Sequence, residues 1–180
     1  MRYWLMKSEP EAYGIDDLAR DKVTAWWGVR NYQARNFMRD QMKPGDRAFF
    51  YHSNCKEPGI VGIAEVSRAA YPDETQFDRK SRFFDAKATR ENPRWLNVEV
   101  KFLKKTRPVP LATLRAQPQL AALRVLATGN RLSITPVDPT HWKFIVERLM
   151  GEKARGVSIP GGWPTRCSAP SPASSPGCSA

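Results

Sequence analysis

Five short segments hold more polar and aromatic side chains than a hydrophobic core needs: Lys7-Ser8-Glu9-Pro10, Trp26-Trp27-Gly28-Val29-Arg30-Asn31-Tyr32, Tyr51-His52-Ser53-Asn54, Tyr71-Pro72-Asp73 and Arg131-Leu132-Ser133. The second is the most pointed. Neighbours in an extended segment face opposite ways, so one indole of the Trp26-Trp27 pair belongs to a core and the other to a site. Gly28 allows close backbone approach and favours Trp27 for the site. An indole beside hydroxyl and amide groups can stack a planar ring and read its edge. Extruding a nucleobase costs a few kcal/mol, and an aromatic face returns roughly 1–3 kcal/mol by stacking on it.

Lys and Arg around such a site would neutralise phosphates. The chain carries 29 Lys+Arg against 18 Asp+Glu, a net charge of +11, and residues 1–150 hold 26 of those cations and 17 of the anions. Arg30, Arg35 and Arg39 are the phosphate candidates, with Arg35 and Arg39 one helical turn apart on a face away from Phe37. Lys101, Lys104, Lys105 and Arg107 form a second basic patch. For both sets the ordinary alternative is a solvated surface. Positive charge alone fits solubility as well as it fits nucleic acid.

Other chemistries find little material. Cys55, Cys167 and Cys178 form no C-x-x-C, and with His52 and His141 they are too scattered for a zinc site or a disulfide framework. There is no G-x-S-x-G elbow and no Cys/His pair in a catalytic setting. No metal, cofactor or catalytic residue is expected. Several candidates also have structural readings. Ser8 can cap a turn before Pro10, Asn31 can cap the following helix, Tyr71 and Asp73 can shape a turn around Pro72, and Arg131 can buttress through a carboxylate. His52 faces away from both Tyr51 and Ser53 and reads as a structural histidine. No apolar run nears the roughly 20 residues of a membrane helix, and Lys7 interrupts the N-terminal segment too early for a signal peptide. A soluble, cytoplasmic protein without membrane contact is expected.

The elements that must position these residues follow from periodicity. Strands are expected over Arg2–Lys7, Lys22–Trp26, Arg47–His52, Gly59–Val66 and Trp95–Lys101. In the last of these Leu96, Val98, Val100 and Phe102 alternate with Asn97, Glu99 and Lys101. Helices are expected over Ile15–Arg20, after Gly28 with Ala34, Phe37, Met38 and Met42 on one face, in pieces over Leu111–Leu126 broken near Pro118, and after Asp138-Pro139. Without a regular strand–helix alternation this is an α+β domain, a small curved sheet or barrel with helices around it. Residues 151–180 are 16 parts in 30 Gly, Pro and Ser, which predicts a flexible, disordered tail after a domain over 1–150.

Tyr3-Trp4-Leu5-Met6-Lys7-Ser8-Glu9-Pro10, Trp27-Gly28-Val29-Arg30-Asn31-Tyr32-Gln33-Ala34-Arg35-Asn36, Tyr51-His52-Ser53, Tyr71-Pro72-Asp73, Pro93-Arg94-Trp95 and Arg131-Leu132-Ser133-Ile134 resemble, in order, the EVE domain family. The resemblance spans about Arg2 to Leu149. It implies a PUA-like fold, a small β-barrel flanked by helices. It also implies kinship with the YTH domains, which read methylated adenine in RNA through an aromatic cage. By that likeness the protein is expected to be a non-enzymatic reader of a modified base, a modified cytosine, in DNA in preference to RNA. The implied pocket draws on Lys7, Ser8, Trp26, Trp27, Gly28, Val29, Asn31, Tyr51, Ser53, Tyr71 and Arg131. The alternative is a small hydrolase of a modified nucleoside, suggested by PUA-like relatives of the ASCH type, with Lys7 and a carboxylate activating water.

Overall fold

The computed structural model describes residues 1–151; the tail expected at 151–180 lies, from residue 152 onward, outside the described residues. Six strands, β1 (Tyr3–Ser8), β2 (Val23–Ala25), β3 (Arg47–His52), β4 (Gly59–Pro72), β5 (Leu96–Pro110) and β6 (Ile134–Val137), form one sheet in the order β2-β5-β4-β3-β1-β6. Only the β1–β3 pair is parallel.

Strand alternation gives the sheet two apolar faces. Trp4 and Met6 of β1 and Ala48 and Phe50 of β3 meet Trp26, Val98 and Val100 in a first core. Helix α1 (Ile15–Asp21) adds Ile15 and Leu18 to it, and α2 (Tyr32–Asp40) adds Ala34 and Met38. Leu5, Phe49 and Tyr51 point the other way into a second core. That core is covered by α3 (Leu111–Arg115), by 3-10 turns at Pro118–Leu120 and Arg124–Leu126, and by α4 (Pro139–Phe144) with its wider π-helical continuation Ile145–Met150.

The sheet is strongly curled. Helix α2 touches β4 and β5 and also β6, which stands at the opposite end of the strand order. The cause lies in the β4–β5 ribbon, whose register shifts four times between Ile60 and Tyr71. Each bulge adds twist and bends the strand. The result is the expected α+β, PUA-like arrangement, a small barrel flanked by helices. β4 and β5 run well beyond the segments read from periodicity, to Pro72 and Pro110, because the bulges break the alternation that marks a strand.

Candidate functional site

The Trp26–Trp27 pair sits where β2 leaves the sheet. β2 pairs antiparallel with β5 in the register Ala25↔Glu99. The Trp26 N–H donates to the Val98 carbonyl at 2.7 Å, carrying the pairing one residue further. Trp26 therefore turns inward with Val98, meets Phe50 edge-on at 5.5 Å and is 8% exposed. Trp27 turns outward and is 52% exposed. Gly28 follows at φ +80°, a left-handed backbone in which a Cβ would also fall 2.8 Å from the Phe83 ring. That closeness lets Phe83 stand edge-on to Trp27 at 5.5 Å.

Asp73 holds this turn. One carboxylate oxygen accepts from the Gly28 N–H at 3.0 Å and from Arg30 Nη1 at 2.8 Å; the other accepts from the Thr75 N–H and hydroxyl. Burial by itself would raise the Asp73 pKa, but the donors of Thr75, Arg30 and Gly28 outweigh it and hold the carboxyl below the usual range. Arg30 reaches onward: Nε and Nη2 both donate to the Phe83 carbonyl, at 3.0 and 2.6 Å. The guanidinium also lies over the Phe83 and Trp95 rings.

The connection from Asp73 to Trp95 had no periodicity in the sequence, yet it is ordered by long-range side-chain bonds. The buried Gln76 amide donates to the carbonyls of Asp73 and Trp95 and accepts from the N–H groups of Arg94 and Trp95. Trp95 Nε1 donates to Asp85 at 2.7 Å, while the Trp95 ring stacks on Tyr32 at 4.9 Å. Arg94 donates to the Tyr32 hydroxyl.

The other sequence candidates divide by sheet face. Ser8 shares the Trp4–Met6 face of β1, and its hydroxyl donates to the Tyr13 carbonyl at 2.7 Å. His52 follows Phe50 on the same side, with Nε2 accepting the Ile15 N–H at the start of α1; burial lowers its pKa, which suits a neutral acceptor. Lys7 points away from Ser8, with Nζ donating to the Asn130 carbonyl beside exposed Arg131, and burial lowers its pKa. Ser53 stands beside Ser8, its N–H donating to the Ser8 carbonyl at 2.8 Å. Tyr51 is buried in the second core, and Val29 in the first. The structure thus gathers Trp26, Trp27, Gly28 and Val29 in one turn, puts Ser8 on the same sheet face but at the far end of the strands, level with His52, Gly59 and Pro110, and leaves Tyr51 on the other side of the sheet.

Asn31 caps α2, its side chain accepting from the N–H groups of Gln33 and Ala34. Tyr71 donates to Glu99 and lies under Arg68 at 4.1 Å; burial and then Glu99 raise its pKa. Arg35 donates to Asn36 and to the Arg94 carbonyl, and Arg39 pairs with Asp40. Alternation put Asn97 on the polar side of β5 with Glu99 and Lys101, but the structure buries it. It pairs with Tyr71 across β4–β5 and is 5% exposed, and its Oδ1 has no hydrogen-bond partner.

Two open clefts lie elsewhere. One of about 310 Å³ is lined by Lys56, Glu57, Pro58, Pro110 and Arg115, and one of about 290 Å³ by Arg2, Tyr3, Trp4, Gln41 and Pro136. Neither includes the Trp26–Gly28 turn, where the aromatic and charged groups converge. No helix among the described residues is long and apolar enough to cross a membrane.

The family model of the EVE domain matches residues 2–148. Human thymocyte nuclear protein 1 is 43% identical over 163 residues, covering 80% of this chain and 72% of the relative, and the Gallus gallus protein of that name is 44% identical, covering 80% and 67%. A crystal structure of a Pseudomonas syringae protein matches with TM-score 0.77 at 47% identity, covering 80% of this chain and 97% of the other. A crystal structure of human THYN1 in complex with DNA containing 5-methylcytosine matches with TM-score 0.78 at 41% identity, covering 86% and 100%. The chain belongs to the EVE domain family.

Proposed function

We propose that this protein reads a modified cytosine in DNA by drawing the base out of the stack to the Trp26–Gly28 turn. The observation that carries the reading is the division of the indole pair. Trp26 lines the inner side with Phe50, on the sheet face that also carries the Ser8 hydroxyl, while Trp27 offers an open face outside. In this arrangement Trp26 forms a wall for the extruded base and Trp27 covers its neighbour at the rim. Human THYN1, similar over 86% of this chain, has been crystallised with 5-methylcytosine-containing DNA, which supports the same polymer and base here.

Binding to two otherwise identical duplexes, one with 5-methylcytosine and one with cytosine, tests the reading. The modified duplex should bind more tightly at every salt concentration. Trp26→Phe should erode that preference while keeping the core filled. Trp27→Ala should weaken both duplexes, by a stacking contribution of roughly 1–3 kcal/mol. Equal affinity of the unaltered protein for both duplexes would sink the proposal.

A further inference from the structure

The cations read from the sequence as phosphate ligands are engaged within the protein, and a set that the sequence reading passed over is not. Arg30 donates from all three guanidinium nitrogens to Asp73, Thr75, Val29 and Phe83. Arg79, Lys80, Arg82 and Lys87, in the connection between β4 and β5, are exposed and form no ion pair among the described residues. Of the two carboxylates between 78 and 87, only Asp85 is ion-paired among the described residues, and its partner is Arg94. Asp85 accepts from Trp95 and pairs with Arg94, and Asp78 accepts the Lys80 N–H.

This stretch is fixed against the base site. The Ser81 carbonyl accepts the Phe84 N–H at 3.0 Å, closing a turn with Arg82 and Phe83 at its tip. Phe83 packs on Trp27 and Gly28, and Arg30 clamps its carbonyl. Arg82 lies 4.6 Å over the outer side of the same arrangement, on the Phe83 ring. A base held at the Trp26–Gly28 turn would therefore bring a flanking phosphate beside Arg82, with Lys80 and Arg79 two and three residues before it on the same exposed stretch. Exposed cations beside an aromatic site, with no carboxylate paired to them, match a nucleic-acid backbone.

We infer that the 79–87 turn is the phosphate-binding element of this protein, gripping the DNA backbone next to the base that the Trp26–Gly28 turn receives. The inference rests on the proposed reading for its ligand, but its test does not need a modified base. Compare the unaltered protein, the triple variant Arg79→Ala/Lys80→Ala/Arg82→Ala and the control Lys104→Ala/Arg107→Ala on an unmodified duplex across a salt series. Lys104 and Arg107 are exposed, unpaired cations farther along β5.

Each phosphate contact contributes about 0.9 to the slope of log affinity against log salt. The triple variant should flatten that slope by about 2–3 and weaken low-salt binding roughly 10–100-fold, and the control should change the slope by less than 1. With a 5-methylcytosine duplex, the triple variant should lose affinity for modified and unmodified DNA in the same proportion. An unchanged slope in the triple variant, or an equal drop in the control, overturns the assignment. Either result can arise whether or not the protein prefers the modified duplex, so failure here is distinct from failure of base reading.

Discussion

Helix α2 and the connection between β4 and β5 are both rich in arginine, and they use it in opposite ways. On α2, Arg39 lies against Asp40, and Arg35 braces Asn36 and the Arg94 carbonyl while covering the Tyr32 ring at 4.8 Å. In the connection, Arg79, Lys80 and Arg82 meet no carboxylate, and the buried strut of Asp73 and Arg30 holds their turn in place. Net charge in a sequence counts cations. It does not say which of them are already bonded, and only the unbonded ones can exchange counterions for phosphate without first breaking a contact.

The strut is the place to break that difference. The Arg30 side chain is 21% exposed and that of Asp73 only 1%. Removing one partner of so buried a pair strands the other charge, at a cost of about 3–5 kcal/mol. Asp73→Ala should lower stability in urea denaturation by about that much, far more than any change on α2. The pH dependence follows from the depressed Asp73 pKa. Its stabilisation is complete above the ordinary carboxylate value of 3.8 and is lost as pH falls through its lower folded-state value. The stability gap between the unaltered protein and Asp73→Asn should therefore be full near neutrality and close in acid. A gap that persists unchanged in acid would show that shape, not charge, holds the turn.

A smaller effect is expected one bond away. Gly28→Ala puts an L-residue at φ +80° and a methyl group 2.8 Å from Phe83. The backbone strain alone should cost about 1–2 kcal/mol, read as a lowered Tm. Phe83 must also move from Trp27, so DNA binding should weaken beyond what the fall in Tm accounts for. Full affinity in this variant would mean that the edge-on Trp27–Phe83 contact does not shape the site.

How far the sequence could foresee this depends on where the order comes from. Alternation alone separated Trp26 from Trp27 and placed Val98 and Val100 on one face, because a strand carries that information locally. Asn31 and Asp138 show their capping roles by residue type and position, and both accept the N–H bonds of the helices they start. Tyr51 needed a different parity argument: its place opposite Phe50 assigns it to the second core with Phe49. The connection from Asp73 to Trp95 was illegible because Asp73, Gln76 and Asp85 act on partners as far as 45, 19 and 10 residues away, and no local period records such bonds. For the same reason its free cations drew no notice, while the regularly spaced Arg35 and Arg39 did.

The smallest effect sharpens the comparison most directly. Arg39 is exposed and already paired with Asp40. An exposed pair on adjacent residues contributes little to stability, because water solvates both charges and salt screens them. Arg39→Ala should therefore leave Tm unresolved from the unaltered protein. For DNA binding, the variant removes one cation but frees the Asp40 carboxylate that it had neutralised. If the helix lies away from the backbone path, the slope of log affinity against log salt should shift by less than the 0.9 of a single phosphate contact. A shift of a full contact would bring α2 into the interface alongside the 79–87 turn. It would also mean that DNA can pull Arg39 from Asp40, so that being bonded in the free protein does not withhold a cation from phosphate.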